Sequence, residues 1–524
     1  METLQMASPV VETASGKVRG ATENGIHLFK GIPYGAPTGG PNRFMPPRPP
    51  KPWAGIRAAL IYAGHAPQWQ AAPTRRAGMA TLLGPVDETP VTEDCLSLNV
   101  WTPGLGETVK RPVMVWLHGG AFHFGSANRA VTAGANLARR GDVVVVSVNH
   151  RLNILGHFDL SEIGGAEYAH SGNGGLLDLI TALEWVRDNI GRFGGDARNV
   201  TIFGESGGGG KVSALSAMPA ARGLFHRAVI QSGAAIRFST KERAAALTEA
   251  ALQQLGVTRV TLTELHQLPV EQLIAAITPA KQSVGKPLLP LLDRYDFGPV
   301  IDGADLPSHP CDPDAPELSD EIPLLIGDTK DEATRFLVDD DAVWERSLDE
   351  AELQRRLQAL AGADAGRVLD FYRTRDPRAN PAELLIAAAT GAQFWIRSVL
   401  YAERKAARAR APVFMYSLAW ETPISEGRLK TPHALDLPFV FDNTEIADAT
   451  RGAAGARELS ALMAASWAAF ARSGDPAIPG LPDWPGYRAD NRVVMVFDST
   501  CSTARNPDAD ARSLWSRVAT QSKP

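Results

Sequence analysis

Short apolar runs punctuate the chain at residues 113–117, 143–148, 200–203, 228–230, 324–326, 413–416 and 493–497. Most are continuous rather than alternating, as expected of strands buried on both faces of a parallel sheet. Between them the spacing changes. Leu176, Leu177, Ile180, Leu183, Val186 and Ile190 recur at helical intervals, with Asp178, Glu184 and Arg187 in the gaps. Residues 348–360, 382–389 and 399–408, rich in Ala, Leu, Glu and Arg, also read as helices. Strands separated by helices predict an α/β fold, with a large, mostly parallel sheet covered on both faces. Glycine-broken alternating runs over residues 10–35 predict an antiparallel edge hairpin. The Pro- and Gly-dense stretch 33–52 predicts an irregular surface segment. The charged tract 339–352 reads as a solvated helix face or loop.

Length and composition narrow this picture. A chain of 524 residues could hold several domains, but it shows no repeat, low-complexity tail or linker, so residues 1–524 are expected to form one domain with insertions. A net charge of -5 gives no electrostatic reason to expect nucleic acid or an anionic membrane as partner. Cys95, Cys311 and Cys501 are too few and too scattered for a disulfide framework or a metal cluster, and read as thiols of a reducing compartment. The first residues lack a basic segment followed by an apolar one, and no uncharged apolar run is long enough to span a bilayer. The expectation is a cytoplasmic protein, monomeric or weakly self-associating.

The chemistry gathers where the run at residue 200 ends abruptly in Gly204-Glu205-Ser206-Gly207-Gly208. GxSxG after a strand reads as a turn tight enough to need glycines beside an exposed serine, with a helix beginning over residues 211–218. A phosphate-binding loop would need glycine where Glu205 stands and Ser or Thr where Val212 stands. A dinucleotide fingerprint would need a third glycine at the same Val212. Neither is met, and no motif calls for a cofactor or metal. A serine nucleophile requires a base, an orienting carboxylate and donors for an oxyanion. Of the histidines after Ser206, namely His226, His266, His309 and His433, only His433 leaves room for further strands and an acid in between. Residue type alone leaves Asp331 and Glu332 both open as that acid. Upstream, the strand at 113–117 runs straight into His118-Gly119-Gly120-Ala121-Phe122, where small residues free backbone amides to face an oxyanion. Phe122, Phe124, Trp69, Phe336 and Phe439 lie near these motifs and are candidates to line an apolar gorge.

Taken together, FKGIPYG at 29–35, EDCL at 93–96, HGGAF at 118–122, FGGD at 193–196, the GESGG turn, LFHRA at 224–228, PVIDG at 299–303, KDE at 330–332 and SGDP at 473–476 cover nearly the whole chain. The chain resembles the type-B carboxylesterases of the α/β-hydrolase superfamily, in particular their bacterial para-nitrobenzyl esterase branch and more distantly the cholinesterases. The resemblance implies an α/β-hydrolase fold with helical insertions around an active-site gorge. It also implies a triad of Ser206, Glu332 and His433, with the preference for Glu332 over Asp331 coming from the family. Gly120, Ala121 and Gly207 would supply the oxyanion amides, with Gly119 shaping the loop. Glu205, Ser232 and Asp436 match polar residues that support base and acid in relatives.

Two departures carry information. Gly207 replaces the alanine usual after the serine, and the region that would pair with Cys95 in secreted relatives, around His65-Ala66-Pro67-Gln68, holds no cysteine. Where cholinesterases carry a tryptophan for quaternary ammonium stands Pro85, which argues against choline esters. The implied activity is cofactor-free hydrolysis of small apolar or aromatic esters through an acyl-enzyme, with water as co-substrate. Amide or carbamate cleavage by the same triad is the alternative. A catalytically dead adhesion protein of this family would have lost triad members, all of which are present here.

Overall fold

The computed structural model describes residues 8–69, 76, 79, 81–106, 108, 110–286 and 295–521. Its frame is an eleven-stranded sheet. In chain order the strands are β1 (Ala21–Glu23), β2 (Ile26–Pro33), β3 (Ser97–Thr102), β4 (Arg111–Leu117), β5 (Val144–Val148), β6 (Gly195–Glu205), β7 (Arg227–Gln231), β8 (Leu324–Thr329), β9 (Val413–Leu418), β10 (Val493–Phe497) and β11 (Ser502–Arg505). They lie in the order β11-β10-β9-β8-β7-β6-β4-β5-β3-β2-β1. All pairings from β5 across to β10 are parallel. The strands outside them pair antiparallel.

The continuous apolar runs have the predicted cause. Along β4 and β5, Val113, Val115, Val144 and Val146 enter one hydrophobic cluster while Met114, Trp116 and Val145 enter another, so both faces are dry. Helix α1 (Gly174–Asn189) covers the first face through Leu176, Leu179 and Leu183. Helix α2 (Gly207–Leu215) follows β6 directly, so it begins four residues earlier than the sequence suggested. Glycine has low helix propensity, but the main chain here has no room for larger residues, and packing overrides propensity.

The region read as one edge hairpin divides in two. Val10–Thr13 and Gly16–Arg19 join Ile56–Ala58 in a separate three-stranded sheet, while β1 and β2 extend the main one. Helices α3 (Ile277–Val284), α4 (Pro381–Thr390) and α5 (Ile396–Ala407) belong to segments placed around the C-terminal ends of the central strands. A single π turn, Gly391–Trp395, joins α4 to α5. The continuous helix Pro381–Ala407 is, by length and composition, apolar enough to cross a membrane, although its few charges keep it from reading as an uncharged run. Its apolar window is 72% buried inside the protein, as a core helix would be. In the tract 339–352, Asp340 and Asp349 cap successive helices through their side chains, a local use of acidic residues at helix N-termini.

Candidate active site

Strand β6 ends at Glu205, and Ser206 then takes φ 56 and ψ -122, a conformation that costs an L residue free energy and persists only where its surroundings impose it. The Ser206 amide donates to Gln231 C=O at 2.8 Å, and its carbonyl accepts from Gly210 N–H at 3.1 Å. The turn also packs main chain against main chain. A Cβ on Gly204 would lie 2.4 Å from the Gly208 carbonyl carbon, one on Gly208 would lie 2.0 Å from Leu117 O, and one on Gly233 would lie 1.9 Å from Ser206 O. Glycine is required here because another backbone occupies the space.

His433 is delivered by the segment after β9. Its Nδ1 lies 2.5 Å from Glu332 Oε2, and Glu332 Oε1 accepts the Thr329 N–H at 2.8 Å. Glu332 is fully buried. Asp331, in contrast, turns toward the Thr431 amide and Lys330. Tertiary structure thus separates two neighbouring carboxylates that residue type could not. Phe336 and Phe394 flank the imidazole with ring centroids 5.0 and 4.9 Å away. On its other nitrogen, His433 Nε2 lies 3.0 Å from Glu205 Oε1, a contact too poorly aligned to be a hydrogen bond. Among the described residues no hydrogen bond joins Nε2 to Ser206.

Beneath the imidazole lie further carboxylates. Asp436 Oδ2 accepts from Gln231 Nε2 and Tyr416 Oη, both at 2.8 Å, and Asp328 Oδ1 accepts from Ser398 Oγ at 2.9 Å. Burial raises Asp436 to about 6 and raises Asp328 well above the usual carboxylate range, with the neighbouring Glu332 adding to both effects. Burial also lifts Glu205 to about 8. For His433 burial acts in the opposite direction, but Glu205 and Glu332 outweigh it and raise the imidazole to about 9. Both shifts favour the protonated forms, so His433 and Glu205 keep their protons to higher pH than the free side chains would. Ser232 lines a cavity that also opens on Ser206, with its hydroxyl unpartnered among the described residues and its amide donating to Gly327 C=O. It makes no bond to His433 or Glu332 among the described residues.

The loop after β4 closes over the serine. Gly120, Ala121 and Phe122 have successive φ values of 97, 50 and 65. Among the described residues, the amides of Gly120 and Ala121 have no acceptor. A Cβ on Gly207 would lie 2.4 Å from Ala121 N, so the absence of the usual alanine methyl lets the loop come close. Gly119 must also be small, since its Cβ would meet Glu205 Oε2 at 2.8 Å. Below the loop, Lys211 is completely buried, and its Nζ donates to His118 C=O at 2.7 Å while lying 5.5 Å from the Phe122 ring. Burial lowers this lysine to about 7.

A cavity of about 320 Å³ opens on Ser206, Ala121, His123, Lys281, Phe336, Phe394 and Arg397, among others. It adjoins a chamber of about 700 Å³ walled by Trp69, Phe124, Ile274 and Ile277. Of the aromatic candidates, Phe336, Trp69 and Phe124 do face open space. Phe122 and Phe439 are corrections: both are fully buried, Phe122 against His157, Phe238 and Tyr295, and Phe439 against Trp420. Proximity in sequence to a motif does not reveal which face of the loop an aromatic occupies.

An elbow serine, a buried acid–imidazole pair and free amides around one cavity define a serine hydrolase of the α/β-hydrolase class. Residues 7–515 match the Carboxylesterase family, and the chain belongs to that family: it is a carboxylic-ester hydrolase. Over 518 residues it is 38% identical to the para-nitrobenzyl esterase of Bacillus subtilis (strain 168), covering 97% of this chain and 98% of that protein. It is 34% identical to the phenmedipham hydrolase of Pseudarthrobacter oxydans, covering 95% of this chain and 97% of the other. A solved para-nitrobenzyl esterase structure superposes with a TM-score of 0.81 at 36% identity, covering 97% of this chain and all of that one.

Sequence reasoning missed several residues of this site. Lys211 enters the sequence reading only as the start of the predicted helix, although a lone charge in the run Gly-Gly-Gly-Gly-Lys-Val-Ser-Ala-Leu is a visible anomaly. Arg397 sits similarly alone among apolar residues. Asp328, Gln231, Tyr416 and Lys281 carry no local signal.

Proposed function

We propose that Ser206, His433 and Glu332 form the catalytic triad and that Gly120, Ala121 and Gly207 supply the oxyanion amides. The observation that carries this reading is the Glu332–His433 hydrogen bond, beside a serine forced into a strained turn on the wall of a cavity. His433 takes the Ser206 proton as Oγ attacks the ester carbonyl. The main-chain amides hold the tetrahedral oxyanion, and the protonated imidazole returns its proton to the departing alcohol. Water, deprotonated by His433, then cleaves the acyl-enzyme and regenerates the serine. The aromatic and aliphatic parts of the cavity walls suit an ester with an apolar or aromatic portion. Three unpaired cysteines fit a reducing compartment such as the cytoplasm. We take the chain as one catalytic unit, since the triad draws on residues 206 to 433 of a continuous sheet. Labelling by a fluorophosphonate at Ser206, with turnover of a p-nitrophenyl ester, tests the reading. Labelling at another serine overturns it.

Glu205 sets the pH at which the base becomes free. His433 must be neutral to act, so kcat/KM should rise with pH through its raised pKa. Glu205→Gln removes a carboxylate that stabilises the imidazolium, which lowers that pKa. The acid limb should move toward lower pH by about one unit. A limb that stays put or moves alkaline would show that Glu205 does not govern the base.

Lys211 anchors the loop on which two of the oxyanion amides lie. Lys211→Met should lower kcat on the order of tenfold to a hundredfold, as expected from small misplacements of catalytic groups. Thermal stability should hold or rise, because a buried ammonium with one described acceptor is costly to desolvate. If kcat and Tm fell together, the lysine would be serving the fold alone.

A further inference from the structure

The two cavities share His123, Lys281 and Asp296, which places Lys281 where the catalytic pocket opens into the outer chamber. The charges there do not balance. Lys281 and Arg397 line the inner cavity, and Lys281 and Lys286 line the outer one. Asp296 is the only acidic residue lining either among those described, and its carboxylate is already engaged by Arg243, through Nε at 2.7 Å and Nη2 at 2.9 Å. No described carboxylate lies within ion-pair distance of Lys281 or Lys286. His123 adds no positive charge of its own, since burial and then the nearby Lys281 hold it down at about 4, as neutral imidazole. The protein as a whole carries a net charge of -5, so a cationic passage to its nucleophile runs against the overall balance. Walls with one sign of charge and apolar surroundings focus potential on whatever enters. The rest of the chamber wall combines an apolar surface from Trp69, Phe124, Ile274 and Ile277 with the uncharged polar Asn153, Thr278 and Gln282.

We propose that the enzyme is built for esters that carry a free carboxylate some distance from the scissile bond, with an apolar spacer along the chamber wall and the anionic end on Lys281. This rests on the ester-hydrolase reading of the pocket and names its substrate class. A carboxylate buried there gains a cation already stripped of part of its water and loses no internal partner of that cation, so recognition does not require breaking an existing ion pair.

The test compares matched substrates of equal length: p-nitrophenyl hexanoate against the mono-p-nitrophenyl ester of adipic acid, and 4-methylphenyl butyrate against 4-carboxyphenyl butyrate. The first pair places the carboxylate on the acyl side and the second on the alcohol side. In at least one pair the anionic member should have the higher kcat/KM by about tenfold, and the advantage should shrink as salt rises. Lys281→Met should reduce that ratio by about tenfold, chiefly through KM, and Lys281→Glu should invert it. Lys51→Met, which removes an exposed lysine, should leave the ratio unchanged. Equal rates within both pairs, or a ratio insensitive to Lys281, would overturn the proposal while leaving the esterase reading intact. Failure to hydrolyse even the neutral esters would instead overturn the triad assignment.

Discussion

Ser206→Ala should abolish nearly all ester hydrolysis, lowering kcat by at least about 10⁴-fold. The size follows from the division of labour in the pocket. Without Oγ no acyl-enzyme forms, and what survives is direct attack by water on an ester held by Gly120, Ala121 and Gly207, which by themselves give a limited acceleration. The fold should tolerate the change, because the Ser206 contacts that hold the turn are main-chain bonds to Gln231 and Gly210. Steady-state turnover of a p-nitrophenyl ester checks the prediction, with circular dichroism to verify folding. Retention of more than a few per cent of the rate would mean that the nucleophile lies elsewhere.

Exchanging the acid should cost nearly as much. Glu332→Gln keeps the size of the side chain but replaces an acceptor facing Nδ1 with an amide that can favour the wrong tautomer and no longer compensates the imidazolium. A fall in kcat of about 10³- to 10⁴-fold is expected. The neighbouring Asp331→Asn should change kcat by less than about threefold, since Asp331 pairs with Lys330 and the Thr431 amide rather than with the imidazole. The two variants measured side by side distinguish an orienting acid from generally lost negative charge. Similar effects from both would deny Glu332 its special position.

The sheet was legible because its central strands are dry on both sides, and a valine run as short as 143–148, interrupted only by Ser147, suits a buried strand far better than a helix or a loop. The elbow was legible because glycine is needed at several positions in succession, where another main chain takes the space of a side chain. The choice of His433 followed from chain order. Other features depend on contacts that no local pattern encodes. Glu332 and Asp331 differ by one position, and only the turn after β8 decides which faces inward. The first turn of α2 is all glycine, so propensity placed the helix start too late. Phe122 and Phe439 resembled gorge residues until packing put them in the core. Lys281 looks like any surface lysine on a short helix, and its setting emerges only when that helix is placed against the chamber.

The glycine-only contacts at 204, 208 and 233 have a consequence for how this enzyme could diversify. The position of the nucleophile is dictated by atoms every residue shares, so side-chain replacement around it has almost nowhere to act without dislodging the turn. Variation in which molecules are accepted must therefore come from the walls farther out, where Trp69, Phe124 and the helix Ile277–Val284 can be exchanged without disturbing the reacting groups. Directed libraries confined to those walls should change substrate range while most members keep a working centre.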